Sequence, residues 1–468
     1  MKKGICLIGL GPHAKRIYYK YIEQEVLAGN LEFDMIVDLK SKETEIKDFC
    51  RARVVQPNRI ILANDKGQRI PQRLDAHVKM EFDEAIKNNR IQYVIVATEP
   101  KAHKIYIEYF LKNKISVLTD KPITAPAGLN YKKESSEQLL SDANYLDELS
   151  RINNTPLYVL AQRREHPAYI FIFEEALKIV KEYGIPITFF NIHHSDGQWN
   201  MPEEYLSREN HPYKYGYGKI MHSGYHFIDI VAWIIETNKV ILPMLYLSNR
   251  TELIKPQTHY RQIGGKELFK RLFEKDTDEP SNMYMGEVDS YTRFFLRNGE
   301  YPINRENVVS FGHLDLLQSG FSGRAWYDLP KDTYKGNGRL RHEYINLHIG
   351  PLFNIQLHSY QSARVDEHSK YDVGGIEHQE INLFRNNKLI GGKSFDTRNF
   401  VQEIYHKYHA DLPQYLGQNE TSRYIIFKKF LANDTQSNTL IENQLLTTKI
   451  ISSMFLSSIE ENEQTFKI

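Results

Sequence analysis

A strand, a glycine turn and a helix open this chain, and together they leave few folds available. Gly4 to Ile8 is a short apolar β-run, followed directly by Gly9-Leu10-Gly11-Pro12-His13-Ala14. Gly-x-Gly-x-x-Ala between a strand and a helix is the phosphate-binding turn of a doubly wound α/β sheet. Gly9 permits the tight turn, Gly11 lets the backbone approach a pyrophosphate, and Ala14 keeps the helix close to the sheet. The helix start then turns its free N–H groups and partial positive charge toward the phosphates. A second strand, Phe33 to Asp38, ends on an acid about 20 residues further on, where a carboxylate can accept bonds from the adenosine ribose. Asp38 so placed favours NAD. Two competing readings stay open: a turn aspartate, and, with Lys40 and Lys42 close behind, a 2′-phosphate site and hence NADP.

The same alternation continues. Tyr93 to Ala97 reads as a strand buried on both faces, and Ile105, Tyr109, Leu111 and Ile115 recur at near-helical spacing. Ser116 to Thr119 is the next strand, and its carboxyl end delivers Asp120, Lys121 and Pro122. Open α/β sheets bind ligands outside the carboxyl ends of their strands, so Lys121 is placed for chemistry on a ligand. Its alternative is a surface lysine capping a loop. Between these strands, Phe82 to Ile86 begins a helix and Lys66-Gly67 marks the turn of a hairpin. An amphipathic helix with Leu139, Leu140, Ala143, Leu146 and Leu149 on one side follows. A strand from Leu157 to Ala161 closes a first domain, residues 1–160, and leaves 161–468 for a second.

Charge and cysteine use narrow the function. Lys plus Arg is 60 against 59 for Asp plus Glu, so no basic field exists to hold a nucleic-acid backbone or an anionic membrane. The basic group Lys331, Lys335, Arg339 and Arg341 is too sparse to change that. Cys6 and Cys50 give neither a disulfide framework nor metal-ligand spacing. The apolar start is too short for a signal peptide, and no run approaches the roughly 20 apolar residues of a membrane helix. The expectation is a soluble, cytoplasmic protein without nucleic-acid or membrane partners.

The order GLGPHAKR, Asp38, ATEPKAH, SVLTDKP resembles the glucose–fructose oxidoreductase, inositol dehydrogenase and MocA (Gfo/Idh/MocA) family. That resemblance implies an N-terminal Rossmann domain plus a C-terminal α+β domain with a large, mostly antiparallel open sheet. It implies a nicotinamide-dependent oxidoreductase acting on a sugar or cyclitol, and a homodimer or homotetramer formed through that sheet. Gly9, Gly11, Pro12, His13, Ala14, Asp38, Thr98, Glu99, His103, Asp120 and Lys121 would then border the cofactor. The acid before Lys121 is Asp120 where the family has Glu, one methylene longer. Further on, Arg164 and Pro167 match the family's Arg-rich strand exit. Gly224, His226 and Asp229 match its Asp-x-Gly-x-His-x-x-Asp pattern, with His222 in place of the first aspartate. Gly286 to Asp289, Phe294 to Gly299 and Thr439 to Ile459 resemble its acidic turn, a strand and the terminal helix. Residues 250–285 and 328–345 read as insertions.

Chemistry supports the same residues. Oxidising a secondary alcohol requires its hydroxyl proton to leave, and His is the side chain that titrates near neutral pH. His226 is the candidate acid–base group, with a hydrogen-bonded core histidine as its alternative. Lys121 would stabilise the developing alkoxide. His222 and His226 are four apart and would share a helix face. That spacing also suits a metal, with His193 or His194 as a further ligand, but no Glu follows His222, so the zinc-protease motif is absent and no metal is expected. Asp229 reads as a partner orienting the helix or a histidine. Tyr213, Tyr215, Tyr217 and Tyr225, with Trp199, His193 and His194, would wall a polyol or glycosyl ring; a Tyr-rich packed sheet is the plainer alternative. Arg164, His222 and Asp229 complete the expected substrate contacts. Two other functions stand beside the oxidoreductase: NAD-assisted hydrolysis or epimerisation through transient oxidation, and a non-catalytic dinucleotide-binding descendant.

Overall fold

The computed structural model describes residues 2–65, 71–208, 211–281, 284–299, 305–318, 340–362, 378–399 and 418–468. They form two compact units. The first takes Met1–Ala127, Glu137–Glu165 and Gln418–Thr448; the second takes Gly128–Ser136, His166–Gly417 and Lys449–Ile468. The stretch Gln418–Thr448 therefore clusters with the first unit, more than 250 residues from the rest of it in sequence.

Six strands build the sheet of the first unit: β1 (Lys3–Ile8), β2 (Leu31–Leu39), β3 (Arg59–Ala63), β4 (Tyr93–Val96), β5 (Ser116–Thr119) and β6 (Leu157–Val159). Their order is β3-β2-β1-β4-β5-β6, and every pair is parallel. The central strands are apolar throughout because helices cover both faces. On one face Tyr18, Tyr19, Tyr21 and Ile22 join Ile426, Phe427 and Phe430 of the helix Gln418–Ala432. On the other lie Val78, Phe82, Ile107, Phe110, Leu111, Ala143 and Leu146. The helix before β4 starts at Ala76, earlier than expected, because the Asp75 carboxylate caps it by accepting the His77 N–H (3.0 Å). The helix after β4, His103–Lys112, buries Ile107, Phe110 and Leu111, a face rotated from the one the spacing of Ile105 and Tyr109 suggests. Tyr109 instead sends its hydroxyl to Asp83 (2.6 Å). The hairpin turn expected at Lys66-Gly67 lies outside the described residues.

The second unit carries nine strands: β7 (Phe189–Ser195), β8 (Leu245–Ile254), β9 (Asp289–Asn298), β10 (Val308–Leu317), β11 (Leu340–Ile349), β12 (Phe353–Ser362), β13 (His378–Arg385), β14 (Phe395–Asn399) and β15 (Gln464–Lys467). The order is β14-β13-β12-β11-β7-β10-β9-β8-β15. Only β7 and β10 run parallel; the other pairs are antiparallel. Helices Pro167–Tyr183 and Tyr225–Lys239 cover one face, with Phe173 stacked on Trp233 and Phe227 stacked on His194. The other face is open, so from Phe189 to His194 successive residues of β7 alternate between half-buried and buried. This is the α/β architecture expected: a Rossmann sheet and a separate, mostly antiparallel open sheet. Within the stretch read as a first insertion, the described residues form the end of β8 and the helices Pro256–Gln262 and Gly265–Phe273. Of the second insertion, residues 328–339 lie outside the described residues. Among the described residues, no helix is long and apolar enough to cross a membrane.

Candidate active site

In the first unit the strand order reverses between β1 and β4, and open α/β sheets bind ligands outside the carboxyl ends of the strands at such a switch point. Gly9 stands there with φ at +89° and donates its N–H to the Val37 carbonyl (2.8 Å). A Cβ on Gly9 would lie 2.7 Å from the Ala97 carbonyl oxygen, so the protein's own packing demands glycine. Gly11 differs. Its φ is an ordinary −71°, and a Cβ would meet nothing within 4 Å. The space beside Gly11 is open, as a site that receives a pyrophosphate requires. Asp38 accepts the Leu10 N–H (2.6 Å) on one oxygen and the Leu39 N–H (2.7 Å) on the other. The carboxylate thus ties the end of β2 to the glycine turn, and each oxygen keeps a further lone pair.

Asp120 and Lys121 follow β5. The Asp120 carboxylate accepts the Tyr18 hydroxyl (2.5 Å), and His13 Nε2 lies 3.6 Å from the same oxygen. Burial raises the Asp120 pKa, against the pull of the Tyr18 hydroxyl, Lys121, Arg423 and Arg16. The acid therefore binds back onto Tyr18, the first residue of the helix Tyr18–Leu27. Lys121 is half-buried, and its bond to Pro122 is cis. Thr98 and Glu99 lie half-buried on the loop after β4.

His103 is fully buried, which corrects the expectation of a direct cofactor contact. Its Nε2 is 2.9 Å from the Thr98 carbonyl and its Nδ1 is 3.0 Å from the Pro122 carbonyl. The ring clamps the loops after β4 and β5 to each other. Burial lowers its pKa to about 4, although the two carbonyls pull the other way. Burial prevails because the ring has no exposed surface. Arg164 is also buried, in the turn Gln162–Glu165 that follows β6. That turn is held by a helix distant in sequence: Asn419 Oδ1 accepts from Arg163 (2.5 Å) and Gln162 (3.1 Å), and Arg423 donates to Gln162 (2.8 Å).

The second unit holds the histidines. Ile220–Gly224 is a π-turn, with Gly224 N–H bonded to the Lys219 carbonyl (2.9 Å), and the helix Tyr225–Lys239 begins directly after it. A Cβ on Gly224 would lie 2.6 Å from that carbonyl, so the turn needs glycine. His222 has ψ at −106° inside the turn, whereas His226 is in the helix. The two do not share one continuous helix face, which corrects the reading from their spacing. Both are nearly buried, at 8% and 6% exposure. His222 stacks on His211 (centroids 4.8 Å apart) and meets the rings of Tyr213 and Tyr217 edge-on. Asp229 is buried one turn along the helix from His226.

The rest of the expected substrate wall divides. His193 and His194 are adjacent on β7, so they point to opposite faces. His194 packs against Phe227 on the covered face, while His193 meets His342 on the open one (5.2 Å). Trp199 packs with Phe269 and Phe273 of the insertion helix. Reasoning from sequence passed over Lys219, Asp196 and Ser223, which form a tight polar group under the histidine turn. The signals were present: Asp196 ends a strand, and Lys219 follows a glycine cluster. Among the described residues, no three His, Cys, Asp or Glu side chains are grouped to hold a metal ion.

The first unit's parallel sheet and its glycine turn are those of a Rossmann-like α/β fold. Residues 45–135 match the family described as "Oxidoreductase family, NAD-binding Rossmann fold", the Gfo/Idh/MocA type. Over that segment the chain is similar to the NAD-binding Rossmann domain of that oxidoreductase family. No curated protein matches the sequence. Solved structures share the fold at low identity. An oxidoreductase from Agrobacterium radiobacter, in complex with NAD+, L-tartaric acid and magnesium, is 12% identical with a TM-score of 0.52, covering 99% of this chain and 98% of its own. The aldose-aldose oxidoreductase from Caulobacter crescentus, complexed with glycerol, is 13% identical with a TM-score of 0.54 and full coverage of both chains. The WlbA dehydrogenase from Bordetella pertussis, in complex with NADH and UDP-GlcNAcA, is 10% identical with a TM-score of 0.56, covering 100% of this chain and 98% of its own.

Proposed function

We propose that this protein transfers a hydride between NAD(H) and a hydroxyl or carbonyl of a sugar, nucleotide sugar or cyclitol. The observation that carries the reading is the contrast at the glycine turn: Gly9 is closed in by Ala97, while Gly11 faces open space beside the braced Asp38 carboxylate. That cradle fits a dinucleotide. Bound NAD supplies the hydride acceptor or donor; everything else falls to the chain. Gly11 and the helix start receive the pyrophosphate, and the remaining Asp38 lone pairs receive the ribose hydroxyls. Lys121 stabilises charge developing on the reacting oxygen. His226 takes the hydroxyl proton, and His222, with Tyr213 and Tyr217 around it, contacts the substrate or shares that proton.

The ligands of three proteins of the same fold support the polyol class: L-tartaric acid, glycerol and UDP-GlcNAcA. Both cysteines are buried and unpaired, which suits a reducing, cytoplasmic compartment. Self-association through the open face of the nine-stranded sheet completes the reading. The test is a spectrophotometric screen for NADH formation over sugars, cyclitols and nucleotide sugars, with the reverse reaction run from NADH. Tight NAD binding without net turnover of any of them would favour NAD-assisted hydrolysis or epimerisation instead.

A further inference from the structure

We propose that Lys219 and Asp196 are positioning residues of the histidine turn: a buried ion pair that fixes the turn carrying His222 and the helix start carrying His226. The role in catalysis rests on the oxidoreductase reading above. Lys219 is 1% exposed, and its ammonium donates to Asp196 Oδ2 (2.7 Å), Ser223 Oγ (2.9 Å) and His194 Nδ1 (3.0 Å). Ser223 Oγ in turn donates to Asp196 Oδ2 (2.6 Å). The Lys219 backbone holds the same turn at both ends, its N–H on the Glu287 carbonyl (2.9 Å) and its carbonyl on the Gly224 N–H (2.9 Å). One residue therefore ties the π-turn to β7, to the start of β9 and to itself.

A well-packed apolar residue would fill this place at lower cost than a desolvated ion pair. The charges answer a different need. The family resemblance expects a carboxylate at position 222, where this chain has histidine. Asp196 brings a carboxylate to the neighbouring Ser223 from the end of β7, and Lys219 compensates it. The pair thus sets two compensating charges against Ser223, the residue between His222 and Gly224 in the turn. Other groups face the same region. Asp289 and Arg341 act on Lys219 from β9 and β11, and the Glu287 carboxylate accepts the Ile220 N–H (2.8 Å). His211, Tyr213 and Tyr217 surround His222.

Removing one charge at a time separates this role from packing. Lys219→Met leaves Asp196 uncompensated and should raise the imidazole pKa of His222; Asp196→Asn leaves the ammonium and should lower it. A unit charge about 10 Å away shifts a histidine by on the order of 1 pH unit at an effective dielectric of about 20. The measurement is imidazole titration by NMR on the NAD-saturated full chain, with signals assigned through His222→Asn and His226→Asn. Opposite shifts in the two variants are expected. Identical titrations in wild type and both variants, at unchanged NAD affinity, would overturn the proposal.

Because this readout needs no substrate, it is distinguishable from the reaction itself. Opposite shifts in a protein that turns over no polyol would remove the reaction and leave the pair's role. Should the single variants fail to fold, Lys219→Met/Asp196→Leu leaves no uncompensated charge and carries the test. It is expected to bind NAD normally and to lose at least tenfold in kcat; a wild-type kcat and pH profile would overturn the proposal.

Discussion

Gly9 and Gly11 differ by two positions, yet substitutions at them should fail in different ways. At Gly9, alanine would have to adopt a φ of +89° and place its Cβ 2.7 Å from the Ala97 carbonyl oxygen. The left-handed conformation costs about 1–2 kcal/mol and the overpacking about 1–3 kcal/mol more, so Gly9→Ala should lose about 2–5 kcal/mol. For a cooperative body of roughly 150–250 residues, each kcal/mol moves Tm by about 2–4 °C, so a loss near 3 kcal/mol lowers the first-unit transition by about 6–12 °C. At Gly11 no such cost exists, because a side chain there enters open space. Gly11→Val should melt within about 2 °C of wild type, as surface changes away from packed features do. Its defect should appear only with ligand. NAD at about 100 times its Kd stabilises the wild-type protein by about 2.7 kcal/mol, and Gly11→Val should lose that increment. The assay is paired thermal melts with and without NAD, with calorimetric titration of both variants. A Gly9→Ala protein that melts like wild type would refute the packing argument. A Gly11→Val protein that keeps the NAD-induced shift would refute the pyrophosphate cradle.

Further outcomes follow from the same sites. NAD should bind more tightly than NADP, because a 2′-phosphate would meet the Asp38 carboxylate; titrating both cofactors checks this, and reversed affinity would transfer the role to Lys40 and Lys42. His226→Ala should lower single-turnover rates by about 10²–10⁴-fold at nearly unchanged NAD affinity. Lys121→Ala should cost about 10²–10³-fold in the same assay. His103 has its pKa lowered by burial to about 4, so the unfolded chain binds a proton first on acidification. Its contribution is fully present above the usual histidine value of about 6.5 and declines as pH falls through the window down to about 4, on the order of 3 kcal/mol in all. Melts at pH 7.5 and 5 should therefore differ less in His103→Asn than in wild type. Equal pH dependence would mean that the two carbonyls hold the folded ring protonated.

Much of the first unit is legible in the chain alone, because its signals are local. The Gly-x-Gly turn, the acid ending β2 and the Asp-Lys-Pro end of β5 each follow directly from a strand buried on both faces. A parallel sheet converts such strand ends into neighbours whatever the helices between them do. The family resemblance rests on the same local order. Long apolar helices and strands were likewise readable, apart from their boundaries and the exact buried face of the helix His103–Lys112.

What only the tertiary structure decided depends on contacts remote in sequence or on a single backbone angle. Whether His103 meets a ligand or clamps two loops turns on the carbonyls of Thr98 and Pro122, which no periodicity reports. His193 and His194 look equivalent in the sequence, yet strand alternation sends one to each face, and only the sheet order says which face is covered. The spacing of His222 and His226 suggests a shared helix face, but the π-turn closed at Gly224 breaks it. The helix Gln418–Ala432 reaches the first unit from the far end of the chain, so Asn419 and Arg423 could not be placed beside Gln162 and Arg163 beforehand. Lys219 and Asp196 lie 23 residues apart and acquire meaning only as a buried pair. Local pattern specifies which elements form and which strand ends face a ligand. Side-chain roles are decided by desolvation and by partners that folding alone brings within bonding distance.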